Sequence, residues 1–138
     1  MREPLLALGL LAVAFGGIRV WLGWRRRRLM RTGAADLLAA FDATRAGALV
    51  LAFTTPECVP CKTIQRPVLE ELEQRYPGRL VFKEVDAARS PELARRFGIL
   101  TVPSTVVIGP DGEIRAINHG TASAERLAVQ IGLNGQWG

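Results

Sequence analysis

Residues 5–24 form an apolar run broken only by Arg19, and four arginines, Arg25 to Arg28, follow it at once. Downstream the apolar positions change period repeatedly. Leu37, Leu38 and Phe41 fall on one helical face between Ala34 and Ala46, with Gly47 placed as a C-cap. Ala48 to Thr54 is a continuous apolar, β-prone run and predicts a buried strand. Ile64, Val68, Leu69, Leu72 and Tyr76 then recur at helical spacing until Pro77-Gly78 breaks the pattern. Leu80 to Val85 predicts a second strand. Ser90-Pro91 opens a short helix that carries Leu93 and Phe97 inward and stops at Gly98. A third strand is expected over Thr105–Ile108, a hairpin turn at Pro110-Asp111-Gly112, a fourth strand over Glu113–Asn118 and a last helix over Ser123–Ile131. The tail from Asn134 is expected to fray. A βαβ unit followed by a hairpin and a closing helix makes an α/β fold, a central mixed sheet flanked by helices.

Charge sharpens the division of the chain. The net charge is +5 and the pI high, which suggests nucleic acid until the charges are located. Residues 1–32 carry seven arginines against Glu3, which leaves residues 33–138 at −1. The basicity belongs to the N-terminal segment, which argues against nucleic acid as a partner. Twenty apolar residues suffice to cross a bilayer. Arg19 lies near one end, where its side chain can snorkel, and Trp21 and Trp24 fit an interfacial belt. A cleaved signal peptide is the competing reading, and Ala12-Val13-Ala14 offers a small-x-small site. Signal peptides, however, carry their positive charge before the apolar run, not after it. The chain is therefore expected to comprise a transmembrane anchor with a basic flank over 1–32, contacting lipid through 5–24, a tether over Met30–Gly33, and a folded domain over 33–138. The arginine excess on the C-terminal flank places that domain on the cytoplasmic side of the cell membrane, in a single-pass arrangement.

The chemistry sits at the junction between the first strand and the helix after it. Cys58-Val59-Pro60-Cys61 places Cys58 at the helix start and Cys61 one turn in. Unpaired N–H groups and the partial positive charge there stabilise a thiolate. Pro60 suits the first turn, where its missing N–H costs nothing. Two sulfurs at this spacing can close a disulfide ring or open to a dithiol. A structural zinc site needs four ligands, and beyond this pair the chain offers only His119, with no second C-x-x-C. Dithiol–disulfide exchange is the favoured chemistry, with no cofactor beyond the cysteines and no metal. His119, beside the last helix, reads as an ordinary polar loop residue.

Over about residues 34–132 the chain resembles the thioredoxin family. The resemblance rests on the apolar strand leading to Cys58-x-x-Cys61, on Pro67 in the following helix, and on Phe97-Gly98-Ile99 followed by Val102-Pro103-Ser104. The Pro110-Asp111-Gly112 hairpin and Gly120 before the last helix complete it. It implies the thioredoxin fold behind the N-terminal helix. It also implies that Cys58 is the nucleophile that forms a mixed disulfide with substrate and Cys61 the resolving thiol. Pro103 matches the family's cis-proline, and Val102 the residue whose backbone pairs with substrate.

Four departures stand out. Glu57 occupies the place of a tryptophan common in the family, and a carboxylate there opposes thiolate formation at Cys58. Val59-Pro60 replaces the Gly-Pro of thioredoxin itself, a lever on reduction potential. Ala52 stands where the family carries a buried acid, leaving water, Glu57 or the Lys83/Glu84 strand to move the proton of Cys61. Six residues rather than five separate Cys61 from Pro67, which predicts a locally altered helix. Glu57, Pro60 and Lys62 are the candidates for tuning the cysteines. The expected function is reduction of protein disulfides by a membrane-anchored oxidoreductase that draws electrons from a thioredoxin-reductase-like flavoenzyme. An outward-facing maturation thioredoxin and a non-enzymatic tethered adaptor are the alternatives.

Overall fold

The computed structural model describes residues 2–44 and 47–133. Helix α1 spans Glu3–Thr32 and α2 spans Ala35–Ala40. Strand β1 (Leu49–Thr54) leads to a π-helical turn over Cys61–Gln65 that runs directly into α3 (Arg66–Arg75). Then follow β2 (Val81–Asp86), α4 (Pro91–Arg96), β3 (Ser104–Ile108), β4 (Ile114–His119) and α5 (Ala124–Ile131).

The strands form one mixed sheet in the order β2-β1-β3-β4. β1 runs parallel to β2 and antiparallel to β3, and β3 pairs antiparallel with β4. The continuous apolar character of β1 follows from this position, because both its faces are covered. Leu49, Leu51 and Phe53 join a core with Leu37, Leu38 and Phe97 from α2 and the end of α4. Val50 and Ala52 join the opposite core with Leu69, Leu72, Leu127 and Ile131 from α3 and α5. Phe53 and Phe97 meet edge to face, with centroids 6.4 Å apart.

Helix α1 is solvent-exposed all round from Glu3 to Arg27, and over that stretch it is long and apolar enough to cross a membrane. The expected tether over Met30–Gly33 is helical as far as Thr32. The Arg19 guanidinium lies 5.7 Å from the Phe15 ring, one turn toward the N-terminus, the direction in which helical side chains lean.

Other differences from the sequence expectation have local causes. α2 ends at Ala40 because Asp42 adopts a left-handed conformation (φ 53°) and the Ala43 N–H donates to the Leu38 carbonyl at 2.7 Å, closing a Schellman-type stop. Aspartate is an unusual residue for that position, so the pattern pointed onward to Gly47. Gly47 is instead needed where the backbone passes Arg79, whose carbonyl oxygen would lie 2.2 Å from any Cβ. Residues 45–46 of the expected helix and the tail from Asn134 lie outside the described residues. Leu93 is only partly buried, and Ala94 joins Phe97 in the core of α4. Ser90 precedes that helix without a side-chain capping bond, whereas Ser123 caps α5 by accepting from the Arg126 N–H at 3.2 Å. The β3–β4 hairpin turns at Gly112 (φ 80°), as expected.

Candidate active site

The cysteines lie just past the C-terminal end of β1, a central strand of the sheet. The Cys58 N–H donates to the Thr55 carbonyl at 3.1 Å, which turns the chain out of the strand. Cys58 and Cys61 are joined as a disulfide with Cα atoms 5.4 Å apart, and both are buried. The Cys61 N–H points at Cys58 and donates to its Sγ at 3.3 Å. The Cys61 N–H at the helix start is thus aimed at the Cys58 sulfur, the kind of donor that favours a thiolate over a thiol.

The extra residue between Cys61 and Pro67 is taken up by the π turn: the Arg66 N–H bonds the Cys61 carbonyl, five residues back. α3 then begins with Pro67 in its first turn, where a missing N–H is tolerated. Within this turn Gln65 faces inward with Cys61, and Ile64, read from the sequence as part of the apolar face, is half exposed at the edge.

Of the tuning candidates, Glu57 is exposed in the loop before Cys58. Pro60 is helical (φ −60°) in the turn between the cysteines. The Lys62 ammonium donates to the Pro56 carbonyl at 2.6 Å, which brings its charge back over the loop that carries Glu57 and Cys58. The Val102–Pro103 peptide is cis. Pro103 is buried and Val102 half-buried, while Leu100 just ahead of them is 92% exposed. The Gly120 N–H donates to the Pro103 carbonyl at 2.9 Å, so the segment leading into α5 is tied to the proline. His119 ends β4 opposite Ser104 in the register and is exposed.

Cys61 and Pro103 share a small cavity of about 10 Å³, room for one water at most. Ala52, Gln65, Arg66 and Glu84 are among the residues that line it. Ala52 and Glu84 are direct partners across β1 and β2, so an acid on the neighbouring strand stands in register with the position of the missing family carboxylate. Glu84 is held in a two-pronged ion pair by Arg66, with Nη2 to Oε2 at 2.7 Å and a second contact from Nε to Oε1. This pairing pushes the Arg66 guanidinium above its ordinary value, the hydrogen bonds it donates to Glu84 contributing most. Lys83, the other residue named on that strand, is paired in register with Leu51 and does not line the cavity.

Sequence reasoning missed Arg66 and Gln65. Arg66 is visible in sequence only as one of many surface cations. Gln65 has both ends of its amide spent on a residue 57 positions away, and no local pattern announces that. Among the described residues no group of three or more His, Cys, Asp or Glu is arranged to hold a metal ion.

Comparison with known proteins agrees with this arrangement. A family profile described as Thioredoxin matches residues 38–132. The chain is 36% identical over 89 residues to a thioredoxin of Bacillus subtilis, covering 64% of this chain and 84% of that protein. It is also 36% identical over 77 residues to thioredoxin C-2 of Corynebacterium nephridii, covering 56% and 69%. Among solved structures, chloroplastic thioredoxin z superposes with a TM-score of 0.59 at 22% identity, covering 72% of this chain and 88% of that one. A mutant thioredoxin of Halobacterium salinarum superposes with a TM-score of 0.56 at 25% identity, covering 65% and 77%. The strand-to-helix disulfide, the cis-proline beside it and a family match over more than half of the chain lead to one conclusion: the chain belongs to the thioredoxin family, and it is a thioredoxin-like disulfide oxidoreductase with a redox-active cysteine pair.

Proposed function

We propose that this protein is a membrane-anchored thiol–disulfide oxidoreductase that reduces protein disulfides at the cytoplasmic face. The observation that carries the mechanism is the Cys61 N–H directed at Cys58 Sγ. In the reduced protein Cys58, as thiolate, attacks one sulfur of a substrate disulfide. A Cys58–substrate disulfide forms, the substrate disulfide breaks, and one substrate thiolate leaves. Cys61 then gives up its proton and attacks Cys58 Sγ, which forms the intramolecular disulfide and releases the second substrate thiolate. The substrate gains two electrons and the Cys58–Cys61 pair loses them. A thioredoxin-reductase-like flavoenzyme restores the dithiol. The substrate strand docks on the Val102 backbone beside Pro103. Glu57, Pro60 and Lys62 set the balance between thiol and thiolate at Cys58.

The anchor reading rests on the apolar stretch of α1 within Glu3–Arg27 and on the arginines that follow it. A signal sequence near the N-terminus has a similar length and composition. The charge after the apolar run, not before it, favours an uncleaved anchor over residues 1–32 and a domain over 33–138.

Trapping with Cys61→Ser in cells tests the whole reading, because without the resolving thiol the mixed disulfide on Cys58 persists. Cytoplasmic proteins linked to Cys58 are the expected outcome. Exported proteins would keep the chemistry and reverse the orientation. An accessible Cys58 that captures nothing would point to a tethered adaptor.

A further inference from the structure

A buried amide side chain is costly unless both its ends are paired. Gln65 is 2% exposed, and both its ends pair with one residue. Its Oε1 accepts from the Ala122 N–H at 2.8 Å, and its Nε2 donates to the Ala122 carbonyl at 3.2 Å. The side chain thus treats the segment before α5 as a strand edge and clamps it to the turn that begins at Cys61. That segment is fastened at a second point, where Gly120 donates to the Pro103 carbonyl. Ile64, the neighbour of Gln65, faces Thr121, Ser123 and Glu125 across an open groove of about 500 Å³. The groove is thus lined by Ile64 of the π turn and Val68 of α3 together with the start of α5 and the segment before it, which Gln65 holds in place.

We propose that Gln65 is a positioning residue for polypeptide disulfides. It fixes the Gly120–Ser123 segment as a preformed wall beside the cysteine pair, so that a bulky substrate docks without first ordering that wall. A small disulfide needs only the cysteine pair and gains nothing from the wall. The proposal rests on the disulfide-exchange reading given above.

The test compares two oxidants on the full-length, pre-reduced protein in detergent micelles: insulin, and the small aromatic disulfide dithiobis(nitrobenzoate). Gln65→Leu keeps the side chain's size and leaves Ala122 unpaired. Gln65→Glu retains the acceptor toward the Ala122 N–H and sets a carboxylate against its carbonyl, and it serves if the leucine variant does not fold. The second-order rate constant with insulin is expected to fall about tenfold, the equivalent of ordering roughly one backbone residue. With the small disulfide it stays within about twofold of the wild type. Parallel losses on both oxidants, or no loss on either, would overturn the proposal and leave Gln65 a scaffold residue. A wild-type protein inert toward both oxidants would instead overturn the exchange reading beneath it.

Discussion

The Cys61 backbone N–H donates to Cys58 Sγ at 3.3 Å, so one sulfur of the pair accepts from the first turn of the helix. The asymmetry predicts which thiol reacts. In the reduced protein at neutral pH, a substoichiometric dose of iodoacetamide should label Cys58 in preference to Cys61, read by mass spectrometry of the digested protein. Preferential labelling of Cys61 would reverse the assignment of nucleophile and resolving thiol. The opposition to this thiolate proposed for Glu57 would act from an exposed loop, where solvent and salt screen it. Glu57→Gln should therefore speed Cys58 alkylation by no more than about two- to threefold, and less as salt is added.

The Arg66–Glu84 pair leads to a different experiment. Each side chain is about one third exposed, so the pair contributes less than about 1 kcal/mol to stability. Its electrostatic effect at the cavity beside Cys61 is separable from that. With Glu84→Gln the Arg66 charge is no longer neutralised, and a cation beside a thiol favours its thiolate. In a Cys58→Ser background the pH midpoint of Cys61 alkylation should fall on Glu84→Gln and rise on Arg66→Gln. If neither substitution moved the midpoint, the pair would have no part in the proton balance of Cys61.

Asp36 and Arg96 join α2 to α4 through two hydrogen bonds of 2.7 and 2.9 Å. The Arg96 hydrogen bond, ahead of its Coulombic attraction, holds the Asp36 carboxyl below its ordinary value of 3.8. A carboxyl depressed in the folded state stabilises the fold above its unfolded value, and that contribution is lost as pH falls through the folded one. Asp36→Asn should cost no more than about 1 kcal/mol at pH 7, since Asp36 is largely exposed. The difference should close progressively below pH 3.8, followed as the gap between the two melting temperatures. A gap that stayed constant with pH would mean that Asp36 acts by packing alone.

Much of this arrangement can be read in the sequence, and the exceptions share a cause. The strands were legible because β1 is buried on both faces and therefore continuously apolar, and because Gly112 marks the hairpin. The six-residue step from Cys61 to Pro67 signalled a distorted helix, and the π turn is that distortion. The end of α2 was not legible, because a left-handed aspartate stands where glycine is usual. Nor were the partners of Gln65 and Arg66, since each depends on a segment that tertiary folding alone brings near. Position along the helix says that Gln65 can face inward. It does not say what it will meet there.

The remaining prediction concerns orientation. In α1, Arg25 lies 5.3 Å from the Trp21 ring, and Arg26 and Arg27 follow it, so charge and aromatic surface coincide at one end of the apolar run. If the positive flank fixes the topology, replacing Arg25, Arg26, Arg27 and Arg28 together by alanine removes most of the bias that retains this end in the cytoplasm. A C-terminal epitope on the wild type should resist protease added outside spheroplasts and become cleavable only after lysis. On the tetra-alanine variant a substantial fraction should be cleaved without lysis. A wild-type epitope already cleaved from outside would place the disulfide chemistry on the exported side, where the same cysteine pair meets an oxidising compartment and a different set of substrates.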